Sequence, residues 1–212
     1  MLSTRCKKTP EPYFGYEYFP TQEGFYQEYN VLEVFHDAAS NPIPDSNSYR
    51  LKTVIGETFE DNEGREARKL LRYKYDLETG ELLDERVWTV LLENERGEVI
   101  EENQRKIRMV FALRAGVEWN VNAYLPEDEQ IVHYEDVHVS KKTPFGKLDS
   151  TVTVEYEDFF SLVDYRRKFE VYAKNIGLVH RSFKDLRIEN FDTTAIEYGT
   201  EVHYELIDYG IE

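Results

Sequence analysis

Side chains that alternate in character along most of this 212-residue chain predict an all-β protein. The expected architecture is a single antiparallel sheet of about ten strands, strongly curled or closed into an up-and-down barrel, with at most one or two short helices. Three observations carry this expectation. Period-2 alternation dominates from about residue 24 onward. Glycine-bearing turn sequences separate the alternating runs. Tyr and Phe number 16 and 12 against 11 Gly and 7 Pro, a usage suited to half-buried pleated surfaces. A two-sheet sandwich is the competing arrangement; curling or closure has the advantage of removing exposed edges.

The first strand is expected at 24–36 and the second at 48–60, with a break at 37–47 that holds Pro42 and Pro44 among Asn and Ser. A third strand, 65–77, puts Leu71, Tyr73, Tyr75 and Leu77 on one side and Arg72, Lys74 and Asp76 on the other. Strands at 82–94 and 98–113 follow, the latter with Ile107, Met109, Phe111 and Leu113 sharing a face. Further strands are expected at 129–139, 149–157, 167–174, 177–188 and 200–208, with longer breaks at 140–148 and 189–199. Val152, Val154 and Tyr156 oppose Thr151, Thr153 and Glu155, and Val202, Tyr204 and Leu206 oppose Glu201, His203 and Glu205. One apolar and one charged side is the pattern of an antiparallel sheet with one wet face.

Hairpins are expected at Asp61-Asn62-Glu63-Gly64, at Asp76-Leu77-Glu78-Thr79-Gly80 and at Glu95-Arg96-Gly97-Glu98, each placing a Gly where the turn needs positive φ. Helix is expected only over Asp158 to Tyr165, where Asp158 caps and Phe159, Leu162 and Val163 follow helical spacing, and more weakly over Val117–Tyr124.

Composition removes whole classes of function. Hydrophobic residues make up 41% of the chain, enough for a core and too many for a disordered polypeptide. No apolar run approaches the roughly 20 residues of a membrane-spanning helix. With 42 acidic against 26 basic residues the net charge is −16, a field that repels phosphate backbones, so nucleic acid is not an expected partner. Cys6 is the single cysteine, so no intramolecular disulfide forms.

Residues 1–20 differ from the rest: Lys7, Lys8, three prolines and the aromatics Tyr13, Phe14, Tyr16, Tyr18 and Phe19. They are expected to form a tether and a segment that docks on a single β domain, 21–212, although aromatic faces can also stack on sugar rings. Cys6 followed by two lysines and a Pro-rich stretch looks like the start of a mature bacterial lipoprotein, whose cysteine carries the lipid. Five residues without an apolar stretch precede it, and Arg5 stands where a small residue is usual at the cleavage site, so the alternative is an ordinary free thiol. The first reading attaches the protein to a membrane in the cell envelope. The second leaves it cytoplasmic if no upstream signal exists, and the DNA upstream of Met1 separates the two.

Several segments, in order, resemble a family of uncharacterised β-rich envelope lipoproteins of Bacteroidetes-type bacteria. They are Tyr18-Phe19-Pro20 with Gly24, Tyr26 and Tyr29; Trp88-Thr89-Val90; Trp119-Asn120-Val121-Asn122-Ala123-Tyr124; and Tyr172-Ala173-Lys174-Asn175-Ile176-Gly177-Leu178-Val179. Tyr26 stands where Trp is commoner, and Asn175 replaces the usual Gly, which Asn can do because it tolerates left-handed geometry. The resemblance implies a lipid-anchored surface or periplasmic β domain, lipocalin-like in outline, with no reaction attached. Read from physics alone, Gly177 permits a bend or bulge before a strand, and Trp88 and Trp119 are core.

The chain offers little recognisable chemistry. No Gly-x-Ser-x-Gly and no phosphate-cradling glycine loop occurs. His133-Tyr134-Glu135-Asp136-Val137-His138 holds several metal-ligating types, but on an extended strand His133 and Glu135 point one way while Asp136 and His138 point the other. Asp61-Asn62-Glu63-Gly64 resembles the opening of a calcium loop without its distal Glu. His36, His180 and His203 each sit singly in a strand and read as surface or wall residues. No metal or cofactor is therefore expected.

The expected role is a non-enzymatic cell-envelope module serving a structural, interaction or ligand-binding purpose, its partner unspecified. If the sheet closes, the candidate ligand-facing wall is Tyr73, Tyr75, Ile107, Met109, Phe111, Val152, Val154 and Tyr204, with Val202 beside them. These are bulky, which favours a filled core over a deep pocket. A lipocalin-like carrier of a small hydrophobic ligand is the specific alternative, and a polysaccharide hydrolase, resting on aromatics and abundant acids, is a weaker one.

Overall fold

A computed structural model describes residues 13–39 and 41–212. The chain forms twelve strands: β1 (Phe25–Asp37), β2 (Asn41–Glu60), β3 (Glu66–Asp76), β4 (Leu82–Glu93), β5 (Arg96–Glu101), β6 (Gln104–Val110), β7 (Glu118–Asn120), β8 (Ile131–Thr143), β9 (Gly146–Phe160), β10 (Asp164–Ala173), β11 (Gly177–Glu189) and β12 (Asp192–Ile211). All belong to one sheet, in the order β6-β5-β4-β3-β2-β1-β12-β11-β10-β9-β8-β7, and each pairing is antiparallel. Strand neighbours are chain neighbours, except that the first and last strands also pair, Val31 opposite Tyr204. The sheet is thus an up-and-down barrel whose break falls between β6 and β7.

That seam is held by side chains and by one backbone bond. Ile107 N–H donates to Val121 C=O (3.1 Å) and the Trp119 indole N–H donates to Ile107 C=O (3.0 Å). The Tyr134 hydroxyl both donates to Val110 C=O (2.8 Å) and accepts from Val110 N–H (3.0 Å). Nearly closed, the sheet leaves few edge groups unpaired.

The strands agree with the alternation in number of runs more closely than in boundaries. The expected strand at 98–113 is two, β5 and β6, turning at Glu102 and Asn103 with φ of 48° and 67°. That is the mirror-image turn a right-twisted hairpin requires, made here without glycine. The turn expected around Gly97 lies instead at Asn94, φ 50°. Gly97 is inside β5, where a Cβ would come within 2.9 Å of the Phe19 ring, so its place in the sequence reflects close packing. Gly64 and Gly80 do sit at their turns with φ of 77° and 71°.

The three long breaks are mostly strand. β2 begins at residue 41 and pairs there with β1 alone, so its outer edge is open and Pro42 and Pro44 interrupt no second ladder. β8 to β9 and β11 to β12 are joined by tight turns, the latter at Asn190 and Phe191 with φ of 50° and 62°. Both expected helices are replaced. At 158–165 a tight turn joins β9 to β10, with Ser161 Oγ accepting from Val163 N–H and Asp164 N–H (3.3 and 3.0 Å). At 117–124 lie β7 and a turn. Among the described residues the helical structure is one 3-10 turn, Tyr16–Tyr18.

That turn plugs one end of the barrel. Tyr18 is fully buried, its hydroxyl 2.8 Å from His138 Nδ1 and 2.7 Å from Ser150 Oγ, and the buried Phe19 ring packs on Gly97 of β5. The plug joins the larger of two apolar clusters, which includes Met109, Trp119, Tyr134, Val152 and Val154; the smaller is built around Tyr29, Leu51, Val179 and Leu206. Cys6, the lipidation candidate, lies outside the described residues.

Candidate functional site

Between the two clusters the barrel interior is charged. Glu170 on β10 is fully buried. Its carboxylate accepts from the Tyr172 hydroxyl (2.7 Å), the Tyr156 hydroxyl (3.0 Å) and Arg181 Nε (2.7 Å), and Arg181 Nη2 adds a second, shorter contact. Arg108 Nη1 stands 3.8 Å from the same carboxylate and Nη2 bonds to Glu101, which Lys106 also approaches at 3.6 Å. Strand register explains the gathering: Glu170 is opposite Arg181, and Arg181 is opposite Tyr204, so all three side chains turn inward.

Burial alone would push the Glu101 and Glu170 carboxyls up. The neighbouring guanidiniums outweigh it: Glu101 is lowered from the usual 4.5 to about 2, and Glu170 is lowered as well. Both are therefore ionised at neutral pH and locked to arginine. Because their folded values are depressed, their stabilisation is complete above the ordinary carboxylate range and is lost as pH falls through the folded values. The urea midpoint should therefore hold steady from about pH 7 to about pH 5 and fall steeply towards pH 2, with Glu101→Gln showing a shallower fall than the wild type. An equal acid slope in the two proteins would contradict this assignment.

Beside the ion network the interior opens into two adjoining lobes. The inner lobe, about 120 Å³, is walled by Phe19, Leu51, Ile55, Leu70, Val90 and Val99, with Glu101, Arg108, Arg181, Tyr29 and Tyr172 on its polar side. The outer lobe, about 320 Å³, is bounded by Glu33, Tyr49, Lys74, Asp84 and Arg86. Leu51, Arg72, Trp88 and Tyr204 line both. The Arg72 guanidinium lies 3.7 Å from the centroid of the Trp88 ring, and Lys74 Nζ lies 3.7 Å from that of Tyr49. Trp88 is itself anchored by its indole N–H donating to Glu102 (3.0 Å), and Tyr49 by its hydroxyl donating to Glu33 (2.9 Å).

Of the wall residues expected from sequence, Tyr204 lines the cavity. Ile107, Met109 and Phe111 are buried in the larger apolar cluster, with Phe111 edge-on to Tyr16 of the plug at 4.8 Å, while Arg108, at a bulge in β6, is the residue of that stretch that lines the cavity. Val152 and Val154 are fully buried in the same apolar cluster. Val202 packs against the smaller cluster. Tyr73 and Tyr75 are a correction: they point away from the cavity, Tyr75 under the Arg50 guanidinium (5.0 Å), while Leu70, Arg72 and Lys74 of the same strand face in. The physical reason is that the interior is not uniformly apolar, so the greasier side of β3 is not the inner one. Trp88 was expected as core and is a cavity wall. Sequence reasoning did not single out Glu101, Arg108, Glu170 or Arg181 as a group, because nothing in their local sequence separates them from the chain's many surface charges.

The histidines fall outside this site. His133 faces Glu155 (3.7 Å) and His138 meets Tyr18. His36 and His203, separate in sequence, converge on Glu201 (2.9 and 3.1 Å), with Lys184 also on that carboxylate (2.5 Å). Lys184 on the same carboxylate makes this a salt-bridge cluster, and among the described residues no group of three or more His, Cys, Asp or Glu side chains is placed to hold a metal ion. The Asp61 carboxylate closes its own turn by accepting from Glu63 N–H and Arg65 N–H (2.8 and 3.0 Å).

Neither a protein-family model nor a curated protein matches the chain. Two crystal structures resemble it. One is a candidate exported protein with YmcC-like fold from Bacteroides fragilis, with a TM-score of 0.45 and 12% identity over 90% of this chain and 98% of that one. The other is a candidate lipoprotein from Parabacteroides distasonis, with a TM-score of 0.42 and 14% identity over 90% of this chain and 98% of that one.

Proposed function

We propose that this protein is a non-enzymatic cell-envelope β module, lipid-anchored through Cys6, that holds a small polar ligand in its barrel interior. The observation that supports binding is the cavity itself: two joined lobes whose polar groups are fixed by stacking and ion pairs before any ligand arrives. Resemblance to envelope lipoproteins supports the address and the anchor. A non-enzymatic role is supported by the state of the inward carboxylates. A hydrolase acting on sugars needs one carboxylic acid that keeps its proton near neutral pH, whereas Glu101 and Glu170 are both driven the other way. A lipocalin-like carrier of hydrophobic ligands is disfavoured on the same geometry. An apolar ligand in a 120 Å³ inner lobe would lie against Arg108, Glu101 and Arg181 and strip their remaining hydration without replacing it.

The test is a thermal-shift screen of neutral and charged small polar molecules against the wild type and Thr53→Phe, which fills the inner lobe, alongside an apolar dye. Stabilisation by a polar compound that is lost in Thr53→Phe, with no dye uptake, is the expected result. Dye uptake with no polar ligand would replace this reading by the hydrophobe carrier. Mass spectrometry of protein from native envelopes should show a lipid adduct on Cys6; an unmodified thiol in the soluble fraction would remove the anchor.

A further inference from the structure

Arg72 and Lys74 stand apart from the other cations of this acidic chain. Among the described residues, the lysines and arginines that form no ion pair are Arg72, Lys74, Arg114, Lys142 and Lys147. The last three are exposed, whereas Arg72 and Lys74 are half-buried and both face the outer lobe. Arg72 is also directly opposite Arg86 in the β3–β4 ladder, a like-charge cross-strand pair that opposes folding. Arg86 is neutralised by Asp84 (2.7 Å) and Glu102 (3.0 Å); Arg72 is not. Around the two lobes five cationic side chains meet three carboxylates, with Glu170 behind them, in a protein whose net charge is −16. Each of those three carboxylates already has a closer partner: Glu33 has Tyr49, Glu101 has Arg108, and Asp84, although opposite Lys74 in the ladder, is bonded to Arg86.

The Arg72 guanidinium lies 3.7 Å over the Trp88 ring and lines both lobes, so stacking holds a planar, five-donor cation at their junction. A guanidinium edge matches two oxygens of a carboxylate or phosphate, and Lys74, one inward position further along β3, adds a point charge. We propose that the junction of the two lobes is an oxyanion site in which Arg72 and Lys74 bind the carboxylate or phosphate group of a small ligand whose body occupies the outer lobe. At about 320 Å³ that lobe suits a compact ligand body. This inference rests on the reading of the interior as a ligand site and names the chemistry that the site selects.

Calorimetric titration at low, matched ionic strength with glucuronate, glucose 6-phosphate and glucose tests it. The expected result is binding of at least one anionic probe about tenfold or more tighter than glucose, the preferred anion identifying carboxylate or phosphate as the natural group. Arg72→Gln and Lys74→Gln should each weaken that anion by about tenfold, while the exposed double variant Lys142→Gln/Lys147→Gln leaves it unchanged. Arg72→Gln should also keep or raise the melting temperature, because it relieves the Arg72–Arg86 repulsion. A drop in melting temperature with unchanged anion affinity would assign Arg72 to packing and overturn the proposal, as would anions that bind no better than glucose. Neutral binding without anion preference ends the oxyanion site but leaves the ligand-binding module standing; silence from every probe ends both.

Discussion

Glu170→Gln should be among the most damaging single substitutions in the molecule. The change preserves shape but removes the charge that compensates Arg181 and helps compensate Arg108, both deep in the barrel. Taking one partner from a buried pair costs about 3–5 kcal/mol, because the surviving charge is left desolvated. For a domain of this size each kcal/mol moves the melting temperature by about 2–4 °C, so a loss of roughly 6–20 °C is expected. Glu157→Gln provides the contrast: Glu157 pairs with Arg166 and Lys168 nearer the surface, where such a pair is worth about 1 kcal/mol or less. Adding Arg181→Met to Glu170→Gln should recover part of the loss, since the orphaned cation is then gone. Calorimetric melting of the four proteins checks this, and equal small shifts for Glu170→Gln and Glu157→Gln would show that the network is solvated and not structural.

Tyr134 should matter for a different reason, since it closes the barrel. Its hydroxyl satisfies both backbone groups of Val110 on the last strand of one arm, and its ring packs on Trp119 at 4.6 Å. Tyr134→Ala removes a fully buried aromatic side chain, a change costing about 3–5 kcal/mol. Tyr134→Phe keeps the packing and orphans the Val110 N–H and C=O, at about 1–3 kcal/mol for each group left without a partner. Hydrogen exchange gives the specific readout. In Tyr134→Phe, amides of β6 near Val110 should lose protection while those of β1 and β12 keep theirs, because the seam opens before the sheet does. Uniform loss across the sheet would mean that β6 and β7 are not a separate weak point.

The all-β class and the meander were legible because alternation is a backbone property that survives whatever faces the interior. Leu71, Tyr73 and Tyr75 do share a side with one another, as read from the chain. What alternation cannot say is which side faces in, and the default that the greasier side is buried failed on β3. There the inner side carries Arg72 and Lys74, made tolerable by Trp88 and Tyr49 from neighbouring strands, and those partners are long-range in sequence. The turn at Glu102-Asn103 was hidden for the opposite reason: two residues with positive φ and no glycine left nothing to read, so β5 and β6 merged. Gly97 misled because a glycine can serve a turn or make room for a ring, and here it makes room for Phe19. The network at Glu170 could not be foreseen, because its members come from β5, β6, β9, β10 and β11 and meet only once the sheet curls.

Thiol accessibility on β3 measures most directly whether this barrel holds a polar cavity. In a Cys6→Ser background, Arg72→Cys and Tyr73→Cys differ by one residue and, on this structure, by which side of the wall they occupy. A polymer-linked maleimide too large for the outer lobe should label Tyr73→Cys at close to the rate of a cysteine at exposed Glu78 and Arg72→Cys far more slowly. Fast labelling at position 72 with protection at position 73 would turn the wall inside out and leave neither a charged interior nor a ligand site within it.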